Sequence, residues 1–218
     1  MTENDEDIRR RIPVVLRKLQ EAYPDARCSL EFSSPLELLI ATILAAQCTD
    51  ERVNLVTPAL FAKYPTAADY VAAPIEDLEQ AVRSTGFFHN KAKNIQAACR
   101  MIVEDYDGSV PNTMKDLLRL PGVARKTANV VLSNAFGIVE GVIVDTHAGR
   151  ISRRLGFSRH NDPAKVETDL MAILPQESWL DYNHQVIYHG RAVCTSQRPK
   201  CEICTLAPEC PSAGMPPA

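Results

Sequence analysis

Residues 117–136 read LLRLPGVARKTANVVLSNAF, and our prediction of the fold rests mainly on this stretch. The apolar residues of a short first helix are Leu117, Leu118 and Leu120. Pro121 stops that helix because proline lacks an amide proton, and Gly122 allows a tight turn. The apolar residues of a second helix are Val130, Val131 and Ala135. The stretch therefore predicts two helices joined by a tight turn, within about 113–136.

The first turn of the second helix is a candidate anion-binding site. Amide groups at a helix start have no partner inside the helix, so they can bind an anion such as a DNA phosphate. This is the helix–hairpin–helix interpretation, in which the protein contacts the DNA backbone without reading the bases. The contacting residues would be Gly122, Ala124, Arg125 and Thr127. An ordinary pair of helices with a Pro-Gly turn fits the same residues.

Lys126 lies in the predicted first turn of that second helix. The positive end of the helix dipole and the neighbouring Arg125 both disfavour an ammonium group there, which increases the fraction of free amine. A free amine is a nucleophile that forms a Schiff base with a sugar carbon. The alternative is a solvated lysine that binds phosphate.

Asp145 follows the apolar run Val142–Val144 and precedes a helical stretch. We expect it to be the N-cap of that helix, a position that still allows its carboxylate to point into a cleft. His147 follows two residues later and is either a catalytic base or a hydrogen-bonded structural histidine.

Four of the seven cysteines form the pattern C-x6-C-x2-C-x5-C. They are Cys194, Cys201, Cys204 and Cys210. Four closely spaced thiolates in a segment rich in loops suit a soft metal, and both zinc and an iron–sulfur cluster fit the spacing. Nearby basic residues that could contact phosphates are Arg191, Arg198 and Lys200. The three isolated cysteines, Cys28, Cys48 and Cys99, are expected to fill the core.

Helical signals continue through the rest of the chain. The run 34–37, Ser-Pro-Leu-Glu, predicts a capping box with proline at the first helical position. The apolar face that follows comprises Leu36, Leu39, Ile40, Ile43 and Leu44. We expect Gln47 on that same face, Asp50 as the cap of the next helix, and Thr113 with Asp116 as another capping pair.

Further helical periodicity occurs before Gly108 and over about 125–136, 146–156, 163–174 and 180–193. No stretch alternates at period two. These patterns predict an all-α protein of about ten short helices.

Charge and composition restrict the class of protein less strongly. The net charge of −3 argues mildly against nucleic-acid binding, although phosphates respond to local charge. No apolar run is long enough for a membrane span, and the start MTENDEDIRRR does not resemble a signal peptide. We therefore expect a cytoplasmic monomer, associated with the nucleoid if the source is bacterial.

At this point the motifs resemble the endonuclease III family of DNA glycosylases with apurinic/apyrimidinic lyase activity. The resemblance rests on LPGVARKTANVVL, on VDTH and on the cysteine pattern in this order. The stretches SSPLELLIATILAAQCTD and GFFHNKAKNI also fit, so it extends from about Phe32 through Cys210. It implies a partner, damaged double-stranded DNA, from which oxidised pyrimidines are removed before β-elimination cleaves the strand 3′ to the abasic site.

The resemblance also implies a fold and a set of functional residues. A six-helix domain would span 28–139, and an iron–sulfur cluster domain would combine 1–27 with 140–218, with the DNA cleft between them. Lys126 and Asp145 would be catalytic. Gln47 would help fill the gap left by the extruded base, and Phe87 would be an apolar wedge. The ligands of a [4Fe-4S] cluster would be Cys194, Cys201, Cys204 and Cys210.

Three departures from the family pattern concern the site. Ala124 replaces the second glycine of the hairpin, which is costly if that position has a positive φ and favourable if it starts the helix. The interval from Lys126 to Asp145 is one residue longer than expected. Phe87 replaces an aliphatic wedge, which affects the preference for the opposite base.

Two alternative functions remain open at this point. A monofunctional, adenine-type glycosylase of the same superfamily would keep Asp145 and the cluster but use water as its nucleophile, and Lys126 argues against it. A non-catalytic helix–hairpin–helix module would bind DNA and use the cluster as a redox sensor.

Overall fold

The computed structural model describes residues 5–215, and in this range it is helical without any strand. The all-α prediction is confirmed. The first four and last three residues of the predicted cluster domain lie outside the described range, as does the start of the acidic N-terminal stretch. The α-helices within the range are α1 (Asp5–Ala22), α2 (Pro35–Leu44), α3 (Asp50–Lys63), α4 (Ala67–Ala72), α5 (Ile75–Val82), α6 (Phe88–Asp105), α7 (Met114–Leu117), α8 (Arg125–Phe136), α9 (Thr146–Arg154), α10 (Pro163–Ile173) and α11 (Trp179–Ala192).

Short 3₁₀ turns lie between or after these helices. They are Arg83–Thr85, Gln176–Ser178, Cys201–Ile203 and Ala207–Glu209. No helix in the described part of the chain is both long and apolar enough to cross a membrane.

Capping side chains set several helix starts. The Ser34 hydroxyl accepts a hydrogen bond from the Glu37 amide at 3.2 Å, so α2 begins as predicted. The Glu37 carboxylate, however, accepts from the Ser33 amide and hydroxyl, so the returning half of the box is made one residue earlier. The cap of α3 is Thr49, and the expectation that Asp50 would cap it is wrong. Asp50 is instead the first residue of α3, where its carboxylate suits the positive end of the helix dipole.

The chain divides into two compact units. The central unit is Cys28–Glu140, and the terminal unit combines Met1–Arg27 with Gly141–Ala218. The central unit encloses one apolar core, to which α2, α6 and α8 contribute. Its fully buried side chains include Leu38, Leu39, Ile40, Leu44, Ile95, Ile102, Leu117 and Leu132. Burial of these side chains stabilises the unit by about 25 cal/mol per Å² of apolar surface.

The terminal unit is built on α11, which packs against α1 and α9. Arg11 on α1 donates to the Leu155 carbonyl at 2.9 Å and to the Glu209 carbonyl at 2.5 Å. The hydroxyls of Ser152 and Tyr182 form a buried 2.8 Å hydrogen bond between α9 and α11. Segments far apart in the sequence are therefore joined by polar contacts in this unit.

Candidate active site and cysteine-lined cavity

The hairpin region, residues 113–136, contains α7, a turn and α8. The Thr113 side chain caps α7 by accepting from the Asp116 amide at 3.2 Å, as predicted. Leu117 and Leu120 are buried, but Leu118 is 44% exposed, so two of the three predicted leucines join the core.

Gly122 allows the turn to approach α6 closely. Its φ is +80°, a conformation that side chains with a Cβ rarely adopt. A Cβ placed on Gly122 would lie 2.9 Å from the Cβ of Asn94. Glycine is therefore required here both by backbone conformation and by space.

Ala124 precedes α8 with φ −95° and ψ 171°, which is extended backbone that any residue adopts. The second hairpin position therefore does not need glycine, and alanine fits it without strain. Alanine also provides no side-chain acceptor for the first turn of α8. This helix start differs from those of α2 and α7, where hydroxyl groups cap the amides.

Lys126 is the second residue of α8 and is exposed, as is Arg125. The opposite side of the helix is buried, with Ala128, Val131 and Leu132 in the core. The core thus anchors α8 and leaves the amine of Lys126 on the surface. Thr127 is half-buried between these two environments.

Asp145 is the N-cap of α9 and is half-buried. Its carboxylate accepts a hydrogen bond from the Ala148 amide at 2.7 Å, so the predicted capping role is confirmed. A capping carboxylate is held in place, because its hydrogen bond fixes the side-chain rotamer.

His147 and Arg150 are hydrogen-bonded on α9, with 3.1 Å between Nδ1 and Nη2. Both pack against Gly190 of α11, where a Cβ would collide with the His147 ring. The terminal unit therefore brings His147 against α11 and engages its Nδ1 with a cation.

Gln47 and Phe87 share an unusual backbone conformation in the central unit. Gln47 has φ 53° and lies beyond the end of α2, so the expectation that it shares that helix face is wrong. Phe87 has φ 48° and its side chain is 64% exposed. A positive φ is uncommon outside glycine, and such outliers cluster at functional sites.

The four cysteines of the predicted ligand set line one cavity of about 590 Å³ in the terminal unit. All four are half-buried. Cys201 begins one 3₁₀ turn, and Cys210 directly follows another. Within residues 5–215, no three His, Cys, Asp or Glu side chains are gathered closely enough to hold a single metal ion. The same cavity is also lined by residues of α9 and α11, among them Arg150, Arg154 and His189.

The chemistry of this donor set fits a large metal group. Burial raises the pKa of Cys204 and Cys210, and negative charge on neighbouring cysteines raises it further. Four thiolates would therefore repel one another unless a cationic centre lay among them. The cavity and its thiols fit an iron–sulfur cluster, in which four cysteines surround the inorganic core.

Sequence reasoning missed two arginines that hold this segment. Arg150 donates to the Cys194 carbonyl at 3.0 Å. Arg154 donates to the Cys194 sulfur at 3.2 Å and to the Thr195 carbonyl at 2.7 Å. Their i, i+4 spacing on α9 places them on one face, which was the available signal.

The basic residues of the cysteine segment, residues 193–215, are only partly engaged. Arg198 and Lys200 are exposed. The Lys200 ammonium donates to the Ala192 carbonyl at 3.2 Å. Both cations therefore lie at the surface of the terminal unit.

Comparison with known proteins identifies the family. Residues 40–176 match the HhH-GPD superfamily of base excision DNA repair proteins. Endonuclease III of Synechocystis sp. is 56% identical over 205 residues, which cover 94% of each chain. This chain belongs to the endonuclease III family. Endonuclease III of Bacillus subtilis is 48% identical over 202 residues, covering 92% of each chain.

The similarity extends to three dimensions. The structure of a trapped endonuclease III–DNA covalent intermediate has a TM-score of 0.89 to this chain, at 48% sequence identity. The match covers 94% of this chain and 96% of the other. As an endonuclease III, the chain is an enzyme of base excision DNA repair, a DNA glycosylase and apurinic/apyrimidinic lyase.

Proposed function

We propose that this endonuclease III removes oxidised pyrimidines from duplex DNA and then cleaves the strand 3′ to the abasic site by β-elimination. The observation that carries the proposal is the exposed amine of Lys126 in the first turn of α8. A related endonuclease III has been trapped as a covalent intermediate with DNA, which requires a protein nucleophile.

The damaged nucleotide must first leave the base stack, because its C1′ is out of reach within the duplex. The Lys126 amine then attacks C1′, and the glycosidic C–N bond breaks with its electron pair leaving on the base. The attached nitrogen then loses one of its two protons, and the C1′–O4′ bond breaks with its electron pair leaving on O4′, which takes up a proton. The product is an imine that keeps the second N–H proton and is therefore positively charged. Removal of a C2′ proton breaks the C3′–O bond, and the phosphate leaves with that pair.

We assign Asp145 the role of the carboxylate that assists this sequence. As an anion it would assist deprotonation of Lys126 or stabilise positive charge that develops on the sugar. Its hydrogen bond to the Ala148 amide supports the assignment, since it holds the carboxylate in a defined position.

We assign the DNA contacts to residues on both units. The uncapped start of α8 supports the hairpin as a phosphate site, because its amides and its dipole favour an anion. The exposed Phe87 supports a wedge that takes the place of the extruded base. The remaining proposed contacts are Gln47, Gly122, Ala124, Arg125, Thr127, His147, Arg198 and Lys200.

We propose that Cys194, Cys201, Cys204 and Cys210 hold a [4Fe-4S] cluster. Their common cavity and the like charge of four thiolates support this assignment. When bound, the cluster supplies folding free energy to a segment that buries few apolar side chains. The Arg154 guanidinium at the Cys194 sulfur would offset part of its negative charge.

Borohydride trapping tests the nucleophile. The wild-type chain with a duplex that contains thymine glycol should give a covalent adduct, and Lys126→Gln should give none. Lys126→Arg is the sharper variant, because a guanidinium keeps the cation for a phosphate contact but forms no Schiff base. Lys165→Gln, an exposed lysine on α10, is the matched control and should trap like the wild type.

Each outcome has a distinct meaning. If Lys126→Arg still forms the trapped adduct, the nucleophile is a residue other than Lys126. Base release without strand cleavage by the wild type contradicts the lyase and favours the monofunctional glycosylase. A panel of oxidised pyrimidines and an abasic site, assayed in parallel, defines the substrates, and binding without any turnover contradicts the whole proposal.

A further inference from the structure

Lys91 is a buried lysine in the central unit, with 4% of its surface exposed. Lysine is almost never fully buried unless its ammonium is paired. The Nζ atom donates to two main-chain carbonyls, those of Leu44 and Thr85, each at 2.7 Å. Both hydrogen bonds are short and strengthened by the charge of the donor.

These two carbonyls lie at the ends of helices. Leu44 is the last residue of α2, and Thr85 is the last residue of the 3₁₀ turn Arg83–Thr85. Terminal carbonyls have no partner inside the helix and carry the negative end of its dipole. The ammonium therefore satisfies two helix ends that would otherwise be buried without a donor.

The same lysine is joined to the residue that precedes α6. Its amide donates to the Phe87 carbonyl at 3.1 Å. Beyond the two helix ends, the chain enters left-handed backbone at Gln47 and at Phe87. Lys91 thus contacts both of the segments that carry these residues. The Leu44 carbonyl is 47 residues from Lys91 in the sequence, and the Thr85 carbonyl is 6 residues from it.

We propose that Lys91 is a positioning residue that fixes the 45–48 loop and the 86–87 loop relative to each other, so that Gln47 and Phe87 enter the duplex as one unit. The inference rests on the proposed function, which gives those two side chains their roles. Lys91 takes no part in the chemistry, since its amine is buried and two of its three protons are donated to carbonyls.

Burial lowers the pKa of Lys91, although negative charge on the Cys48 thiol opposes this. The two carbonyls favour the charged form by accepting its protons. The matched test variant is Lys91→Met, because methionine has a similar length and fills the site without a donor. The matched control is Ile95→Ala, one turn further along α6, where the side chain is also buried, at 2% exposure.

We call the two hydrogen bonds from Lys91 to the Leu44 and Thr85 carbonyls the Lys91 clamp. Hydrogen exchange in the absence of DNA tests this clamp independently of catalysis. In Lys91→Met, amides of both loops should exchange on the order of tenfold faster than in the wild type, because two charge-assisted hydrogen bonds are lost. In Ile95→Ala, amide exchange should become faster along α6, whereas the exchange rates of the two loops should stay at their wild-type values. Unaltered exchange at either loop in Lys91→Met overturns the clamp.

Single-turnover excision of thymine glycol then tests the consequence. Lys91→Met should slow excision on the order of ten- to a hundredfold at saturating enzyme, since small misplacements cost this much. Ile95→Ala should stay within about twofold of the wild type below its melting temperature. In a chain that already carries Phe87→Ala, adding Lys91→Met should slow excision little further. Both changes prevent the joint entry of Gln47 and Phe87 into the duplex, so their effects should not multiply.

Two results overturn the inference: excision losses that multiply in the double variant, or equal losses in Lys91→Met and Ile95→Ala. A wild-type chain that excises nothing contradicts the proposed function instead. Hydrogen exchange still reports on the clamp in that case, so the two failures are distinguishable.

Discussion

The hairpin region and the cysteine segment are stabilised in different ways. In the hairpin region, Leu117, Leu120 and Leu132 are almost completely buried in a shared apolar core. Across residues 193–215, Leu206 is the one side chain that is fully buried. That segment is instead connected by hydrogen bonds from Arg150 and Arg154 to its backbone.

The difference shows which kind of interaction positions each proposed function. Close packing anchors α8 and presents Lys126 on a surface that the core has already ordered. Directional polar contacts shape the cysteine segment, so we expect its order to depend on the proposed cluster as well. Substitutions in each region should therefore have different consequences.

Loss of one thiol should affect the two regions very differently. Cys210→Ala should abolish iron binding and accelerate protease cleavage after Lys200 by on the order of a hundredfold, since the proposed cluster would order the segment. Cys99→Ala, in the buried core, should cost about 1 kcal/mol of stability and leave iron content unchanged. Iron per chain and limited proteolysis measure both. Equal proteolysis of the two variants would contradict the contrast.

The hairpin turn should tolerate no Cβ. Gly122→Ala is expected to destabilise the chain by about 3 kcal/mol, because it adds left-handed strain and a contact with Asn94. Gly137→Ala has a similar φ of +67° but nothing within 4 Å, so it should cost about 1 kcal/mol. Urea unfolding gives both values. Identical losses would show that packing against α6 is unimportant.

A capping side chain at the start of α8 should increase the stability of the chain. Ala124→Ser supplies the missing cap and should stabilise the chain by about 1 kcal/mol, or about 3 °C in Tm. Ala135→Ser makes the same chemical change inside α8, where no amide needs a cap, and should not stabilise. If the two variants melt alike, the amides of the first turn are already satisfied.

Features that depend on neighbouring residues could be predicted from the sequence. The caps at Ser34, Thr113 and Asp145 use side chains within three residues of the amides they satisfy. The predicted second hairpin helix, 125–136, coincides with α8. Local hydrophobic periodicity and capping chemistry were sufficient in these cases.

Features that depend on distant partners could not be predicted. Lys91 reads as a surface lysine in HNKAKN, because the Leu44 carbonyl that binds it is 47 residues away. Arg150 and Arg154 likewise meet partners more than 40 residues away. The left-handed backbone at Gln47 and Phe87 has no local signal, since neither residue is glycine or part of an Asn-Gly turn.

Net charge was also a poor predictor of nucleic-acid binding. The value of −3 argued mildly against nucleic-acid binding, yet the chain belongs to a DNA repair family. The charge of a whole chain does not describe where its cations lie. Arg125, Lys126, Arg198 and Lys200 are all exposed.

The division of the chain into units also sets an order of assembly during synthesis. The central unit is one continuous stretch, whereas the terminal unit needs residues on both sides of it. When residue 140 has left the ribosome, α1 still lacks α11, its packing partner. Synthesis adds on the order of 10 residues per second, so α11 is completed on the order of 10 s later. During that time Ile12, Val15 and Leu19 of α1 lack the partner against which they are buried in the folded chain. These three apolar side chains therefore stay without their packing partner until α11 has been made.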